Sequence, residues 1–371
     1  MRQGTALLNS STFRAIVSGR QRGLLAIGIR MLLRLVAIPY RLVVNVRNHA
    51  FDHGWRKVHR VEVPVISVGN LTLGGTGKTP TVAWLCDWLI AKKIKPVIVS
   101  RGYKGDGNEK NDEAVELAEK LPDVPHVQNP DRVQAVRTAI AHYGAQAIVL
   151  DDGFQHRRLD RDLDLVLIDA TEPFGFEHLF PRGTLREPLV SLRRADAVAL
   201  TRADCIAGEH RKLLQSRIQS IAPHVAWIEI AHRAAFLTER RGKTISISSL
   251  DDAGVIAFCG IGNPDNFLQT LSQKNWTVRE WKEYPDHHHY TQRDANWLLS
   301  RAQACTAAAV LCTHKDLVKI RPLWQSEIPL YAVMLQTEIL CGEAELTTLL
   351  EALRSDKQPP ENCRPFKKSG A

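Results

Sequence analysis

From about residue 61 to 222, short apolar runs alternate with stretches of helical periodicity. Val63–Val68 is an apolar run that leads straight into a glycine-rich loop, and it predicts a buried strand. Thr79–Ala91 follows with helical spacing, Pro80 being acceptable in the first turn. Pro96–Ser100 (PVIVS) predicts a second strand and Ala147–Leu150 (AIVL) a third, with two more at Leu163–Ile168 and Ala197–Leu200. Helices are expected over Asp112–Lys120 and Arg132–Tyr143. This alternation predicts an α/β fold, a parallel sheet with helices on both faces. Ligands of such sheets gather at the carboxyl ends of the strands. Here those ends are Ser67–Gly77, Ser100–Gly102, Asp151–Gly153 and Asp169–Ala170.

The pattern changes around residues 226–250, where AAFLTERRGKTISIS predicts an antiparallel pair joined near Arg241 and Gly242. That stretch is expected to be a β linker. Beyond it, residues 251–355 predict a second, smaller α/β region. Its strands are expected near Val255–Phe258, Ala307–Leu311 and Leu330–Val333, and its helices near Pro264–Lys274, Gln292–Cys305 and Glu343–Arg354. The first α/β domain is thus expected over 51–225, and residues 356–371 read as a loose basic tail.

Residues 1–50 form a segment of their own. Leu24–Val46 is apolar enough to suggest a membrane span, but Arg30, Arg34 and Arg41 interrupt it. At about 100° per residue the three arginines share one stripe of a helix, and each is costly at a bilayer centre. The apolar run starts late and no small-residue cleavage site follows, which argues against a signal peptide. The segment reads instead as a basic amphipathic helix in a membrane interface, with its arginines toward lipid phosphates. The competing reading packs it on the protein's own core with the arginines in water. Pro39 is expected to kink the helix or end its first half.

At 371 residues, with 44% hydrophobic and 24% charged positions, the chain is long enough for two domains and is neither fibrous nor disordered. Seven cysteines contain no C-x-x-C pair, so neither a zinc site nor a disulfide framework is indicated. The net charge of +9 favours an anionic partner: phosphate, nucleic acid or an acidic membrane. With no nucleic-acid recognition motif and no set of stacking aromatics, nucleic acid is not expected.

Gly69–Pro80 reads GNLTLGGTGKTP. Its end is that of a phosphate-binding loop, in which backbone N–H groups converge on phosphates, a lysine adds charge and the next hydroxyl ligates Mg²⁺. Gly74, Gly75 and Gly77 supply backbone freedom, Lys78 the charge and Thr79 the hydroxyl. Thr72 stands where the pattern asks for glycine, but the phosphate-facing groups come later in the loop. Nucleotide contacts are therefore expected from Thr72, Leu73, Gly74, Gly75, Thr76, Gly77, Lys78 and Thr79. The strand AIVL ends on Asp151 and Asp152, the place where P-loop proteins hold Mg²⁺. Further on, YPDHHHYT offers His287, His288 and His289. Consecutive side chains diverge, so a single histidine sharing a proton with a carboxylate is a better reading than a metal site.

Taken together, SVGNLTLGGTGKTP, SRGY, DDGFQHRRLDRDLDLVLID, PRGTLREP, GIGNPDNF and PDHHHYT resemble, in order, the tetraacyldisaccharide 4′-kinase (lipid A 4′-kinase) family. The resemblance runs from about residue 20 to 355. It implies ATP- and Mg²⁺-dependent phosphorylation of the 4′-hydroxyl of a lipid A disaccharide 1-phosphate, at the cytoplasmic face of the inner membrane. It implies two α/β/α domains with the active site between them. By the same resemblance Asp151, Asp152 and Glu187 join Thr79 as metal ligands, and Gln155 and His156 belong to the nucleotide cluster. Arg186 steadies transition-state charge, while Asp112 is the catalytic base and His287 its partner. Asn111 departs from the family's glycine, and His314 stands where an acid is usual. The N-terminal extension before residue 20 matches no family feature. The P-loop, the acids and the amphipathic segment also fit an alternative, a membrane-associated ATPase switch acting on a protein partner.

Overall fold

The structure, a computed structural model, describes residues 10–102, 112–240 and 242–356, with side chains for 12–102, 114–240 and 242–353. Tyr103, Asn111, Arg241 and most of the tail read as loose, residues 357–371, lie outside the described residues.

Twelve strands join in one sheet. In chain order they are β1 (Val65–Asn70), β2 (Pro96–Ser100), β3 (His126–Gln128), β4 (Ala147–Asp151), β5 (Leu163–Asp169), β6 (Ala197–Thr201), β7 (Ala226–Glu239), β8 (Thr244–Ser246), β9 (Gly254–Cys259), β10 (Thr277–Glu283), β11 (Ala309–Cys312) and β12 (Leu330–Cys341). The helices are α1 (Ser10–Val17), α2 (Leu24–Asp52), α3 (Lys78–Ala91), α4 (Asp112–Lys120), α5 (Arg132–Tyr143), α6 (Gly208–Ile221), α7 (Pro264–Ser272), α8 (Gln292–Ala304), α9 (His314–Ile320) and α10 (Glu343–Asp356). The sheet order is β10-β9-β11-β12-β7-β6-β5-β1-β4-β2-β3, with β8 beside β7. Every residue of β1, β2, β4, β5 and β6 is buried, which is why these strands are unbroken apolar runs rather than alternations. β1 starts at Val65 and not at Val63, since Pro64 has no N–H to give a ladder.

β7 changes the picture drawn from sequence. Its first five residues pair parallel with β6, from Ala197↔Ala226 to Thr201↔Ile230. Almost its whole length pairs antiparallel with β12, and its end turns into β8 as the expected hairpin. β12 in turn starts parallel to β11. The strands 251 onward therefore extend the first sheet. The sheet is mostly parallel, and antiparallel only around β7.

Helix α10 crosses back as well. Its Leu346 and Leu350 are buried in the cluster that holds Ile66 and Val68 of β1 and Val82, Leu85 and Cys86 of α3. The far half has its own cores on its two sheet faces, around Phe258 and Trp324 on one side and Leu271 and Val333 on the other.

At the N-terminus α2 runs unbroken through Pro39, so the expectation that this proline ends the first half of the helix is corrected. The position is exposed, and the missing N–H costs only one internal bond there. Ala26, Val44 and Phe51 of α2 are buried, while Leu24, Leu25, Met31, Leu32, Leu35, Leu42 and Val43 are exposed. Among the described residues no helix is long and apolar enough to cross a membrane. The arginine stripe is not uniform: the Arg30 guanidinium donates to the carbonyls of Ile16 and Gln21 and so caps the end of α1.

Candidate active site

The glycine loop leaves β1, which lies between β5 and β4, and enters α3 at Lys78. Gly74 (φ 118°) and Gly77 (φ 82°) lie in the left-handed region, which only glycine adopts cheaply. Thr72 forms an isolated bridge with Leu185, an extended conformation that any residue takes, so the missing glycine costs the loop nothing. The loop is pinned from both sides. The Asn70 amide donates to Thr72 O at 2.8 Å and to Thr76 Oγ1 at 3.0 Å. Thr201 Oγ1, at the end of β6, donates to Thr76 O at 3.0 Å. Leu73 N donates to Thr184 O, and Arg202 donates to Gly75 O.

The loop opens on a cleft of about 1140 Å³ between the two halves. Residues Thr72–Thr79, Asp151, Asp152 and Arg186 line one wall, and Gly262, Asn263, Asp286, His287 and Lys315 line the other. Asp151 is buried at the end of β4. Asp152 follows it with φ 56°. Asp152 Oδ1 accepts from Arg186 Nη1 at 2.7 Å and lies 3.6 Å from Lys78 Nζ. Burial alone pushes its carboxyl up, but Lys78 and Arg186 outweigh this and hold it down at about 2. Arg186 Nη1 also reaches Asn70 Oδ1 at 3.3 Å, and its backbone is held by Tyr40 of α2.

Three expected site residues, Gln155, His156 and Glu187, do not themselves line the cleft. The chain turns sharply at Gly153, where a Cβ would stand 2.6 Å from Ser67 Oγ, and the residues after the turn fall outside the cleft lining. Gln155 Nε2 donates to Asn70 O at 2.9 Å, bracing the loop from behind. His156 is kept neutral, down to about 4, by burial and then by Arg132 and Arg158. Glu187 is 1% exposed and accepts from Arg194 Nη2 at 2.9 Å and Asn48 Nδ2 at 3.0 Å, tying α2 to the sheet.

Asp112 is the first residue of α4, and its side chain lies outside the described residues. The far end of α4 is clamped to the second half. Glu119 accepts from His314 Nε2 and from Arg321 Nη2, both at 2.9 Å. Of the three histidines, His287 and His289 line the cleft. His288 stacks on Tyr284 with centroids 4.6 Å apart, and its Nε2 is 3.3 Å from Asp294 Oδ2. The unassigned N-terminal extension also reaches the site. Arg14 of α1 pairs with Glu172 at 3.0 Å and donates to Gly262 O at 3.0 Å, bridging the two walls.

Sequence reasoning did not single out Asn70, Thr201, Arg202 or His232. Thr201 and Arg202 stand at a strand end, the one positional signal that pointed to them. His232 falls inside the stretch read as a linker and carried none.

A glycine loop leaving a central strand, its lysine opening a helix, and paired carboxylates ending the adjacent strand define a P-loop nucleotide-binding protein of the α/β class. Residues 29–354 match the profile of the tetraacyldisaccharide-1-P 4′-kinase family. A tetraacyldisaccharide 4′-kinase of Anaeromyxobacter dehalogenans (strain 2CP-1) is 36% identical, over 86% of this chain and 89% of its own. One from Syntrophus aciditrophicus is 34% identical over 81% and 86% respectively. A crystal structure of LpxK from Aquifex aeolicus in complex with ATP has a TM-score of 0.68 at 29% identity, covering 88% of this chain and 99% of that one. The chain belongs to the tetraacyldisaccharide 4′-kinase family.

Proposed function

We propose that this protein transfers the γ-phosphoryl group of ATP to the 4′-hydroxyl of a lipid A disaccharide 1-phosphate, at the cytoplasmic face of the inner membrane. The observation that carries this reading is the joining, in one cleft, of the phosphate loop, the Asp151–Asp152 pair and the His287–His289 loop, in a chain matched to the family over residues 29–354.

Each role follows from chemistry. Lys78 and Arg186 already meet at Asp152, so two cations stand where phosphate charge builds up. The Thr79 hydroxyl and the carboxylates of Asp151 and Asp152 line the same wall and form a hard oxygen set suited to Mg²⁺. When bound, that ion neutralises charge on the β- and γ-phosphates. Asp112 takes the proton of the sugar hydroxyl, and His287 or His289 from the opposite wall positions it. Gln155 braces the loop from one layer back, and Glu187 holds α2 through Asn48 with its Oε2 while its Oε1 joins the Mg²⁺ set. Closure of the units 51–225 and 251–355 on each other brings the second unit's histidine to the base only when substrate is bound, which limits ATP hydrolysis by water. The exposed apolar residues of α2 seat the protein on the membrane, with Arg34 and Arg41 toward lipid phosphates.

Purified protein incubated with ATP, Mg²⁺ and disaccharide 1-phosphate lipid in detergent should add one phosphate to the lipid. ATP turnover that ignores the lipid and survives Asp112→Ala would instead favour the switch. Asp112→Ala should lower kcat far more than it raises KM for ATP, whereas Lys78→Ala harms both. Removing residues 1–47 should abolish flotation with anionic vesicles. Unchanged flotation refutes the membrane role of α2.

A further inference from the structure

His232 lies on β7, where that strand runs beyond its pairing with β6. It is 6% exposed, yet it lines the cleft. Among the described residues neither of its ring nitrogens has a hydrogen-bond partner. The ring presents its nitrogen-bearing edge to the phosphate loop. A Cβ built on Gly77 would stand 2.0 Å from Cε1, 2.8 Å from Nδ1 and 3.0 Å from Nε2. The glycine before Lys78 is therefore required twice, by its φ of 82° and by this ring.

A buried N–H without an acceptor is costly, and a phenylalanine or leucine would fill the same space without that cost. The imidazole is thus poor packing and good recognition. Burial, then Arg202 and Lys120, keep the ring neutral, down to about 3. A neutral imidazole carries one N–H donor. The neighbouring charges, Arg202 and Lys120, are both cationic, so an anionic oxygen is the acceptor this corner favours. The loop beside it is built to hold such oxygens.

We infer that His232 is a nucleotide-binding residue that donates a hydrogen bond to a phosphate oxygen of the bound triphosphate, completing the cradle from the β7 side. This rests on the reading of the cleft as an ATP site. It also gives β7 a role beyond joining the halves. A strand shared by both carries a phosphate contact, so nucleotide binding is registered at the seam itself.

The test uses the full-length protein and His232→Phe, which keeps the ring packed on Gly77 and removes the donor. Binding is measured for ATP and for inorganic tripolyphosphate, and steady-state kinetics for the lipid kinase reaction. Both Kd values and the KM for ATP should rise about tenfold or more, with kcat within about twofold. In ¹⁵N-labelled wild-type protein, the His232 side-chain nitrogens, assigned by their absence in the variant, should shift on saturation with tripolyphosphate. Unchanged Kd values, or nitrogens that ignore tripolyphosphate, overturn the inference, as does weaker ATP binding with tripolyphosphate binding intact. A wild-type protein that binds no ATP would instead remove the nucleotide reading on which it rests. Circular dichroism and melting of the variant guard against misfolding; if it is unfolded, His232→Gln, which keeps an N–H donor, and His232→Leu, which does not, take its place in both the binding and the assignment.

Discussion

Removing the Glu119 carboxylate should loosen the helix that carries Asp112 while leaving the phosphate loop intact. Glu119 joins α4 to α9 through His314 and Arg321, both at 2.9 Å. The two arms are unequal. Arg321 is 36% exposed on its side chain, so this pair is screened and contributes about 0.2–1 kcal/mol. His314 is 4% exposed, and burial lowers its pKa, so at neutral pH it gives a neutral N–H to a carboxylate. Such a buried bond contributes about 1–2 kcal/mol, and Glu119→Ala also leaves the ring unsatisfied. Together the loss is about 1.2–3 kcal/mol, or roughly an 8- to 160-fold shift in the docking of α4. Native-state hydrogen exchange reads this directly. Protection of the amides of residues 115–120 should fall by that factor, while that of β1 and α3 stays within about twofold. The kcat for lipid phosphorylation should fall with KM for ATP unchanged. If exchange in α4 accelerates and kcat does not move, the placement of this helix does not govern the base. If exchange itself is unaffected, the clamp argument is wrong.

Leu346→Ala should cost about 2–5 kcal/mol, because Leu346 is 1% exposed in the same core as α3, and urea unfolding would show it as a lowered midpoint at constant slope. Thr201→Val keeps shape but strips Thr76 O of its hydroxyl donor; it should raise KM for ATP several-fold and destabilise by about 1–3 kcal/mol, checked by kinetics and melting. Acid should weaken the fold before the carboxylates titrate. Burial holds His126 and His156 neutral down to about 4, against about 6.5 for a free imidazole. The unfolded chain thus takes up protons first, and the stability from these residues, present above pH 6.5, is lost as pH falls toward 4. Melting temperatures at pH 7.5, 6 and 5 should drop in turn, and His126→Gln should flatten the decline.

Much of the first half was legible because its strands are buried on both faces and its glycines sit where the loop must bend. Strands β2, β4, β5 and β6 appear within a residue of the expected bounds. β10, TVREWKE, was not read because it is an edge strand with only partial burial and no apolar run. The joining of the halves was hidden for another reason. Ala226–Glu239 looks like a linker strand, and nothing local reveals that its partners lie more than ninety residues away in β12. In the site, Lys78, Asp151 and Asp152 were found because motif and strand end coincide, and Arg186 came only from the family resemblance at LREP. The position of Glu187 depends on Asn48 and Arg194, tertiary partners that no spacing rule supplies.

The return of α10 has a consequence for how the chain is made. The β1–α3 core is complete only when Leu346 and Leu350 arrive, although Ile228 and Ile230 of the same core are already in place. Between residues 230 and 346 the ribosome spends on the order of ten seconds. During that interval the phosphate-loop half has one apolar face uncovered and an unpaired edge on β7, awaiting β12. A nascent chain stalled before residue 340 should therefore be a chaperone client, and one released after α10 should not.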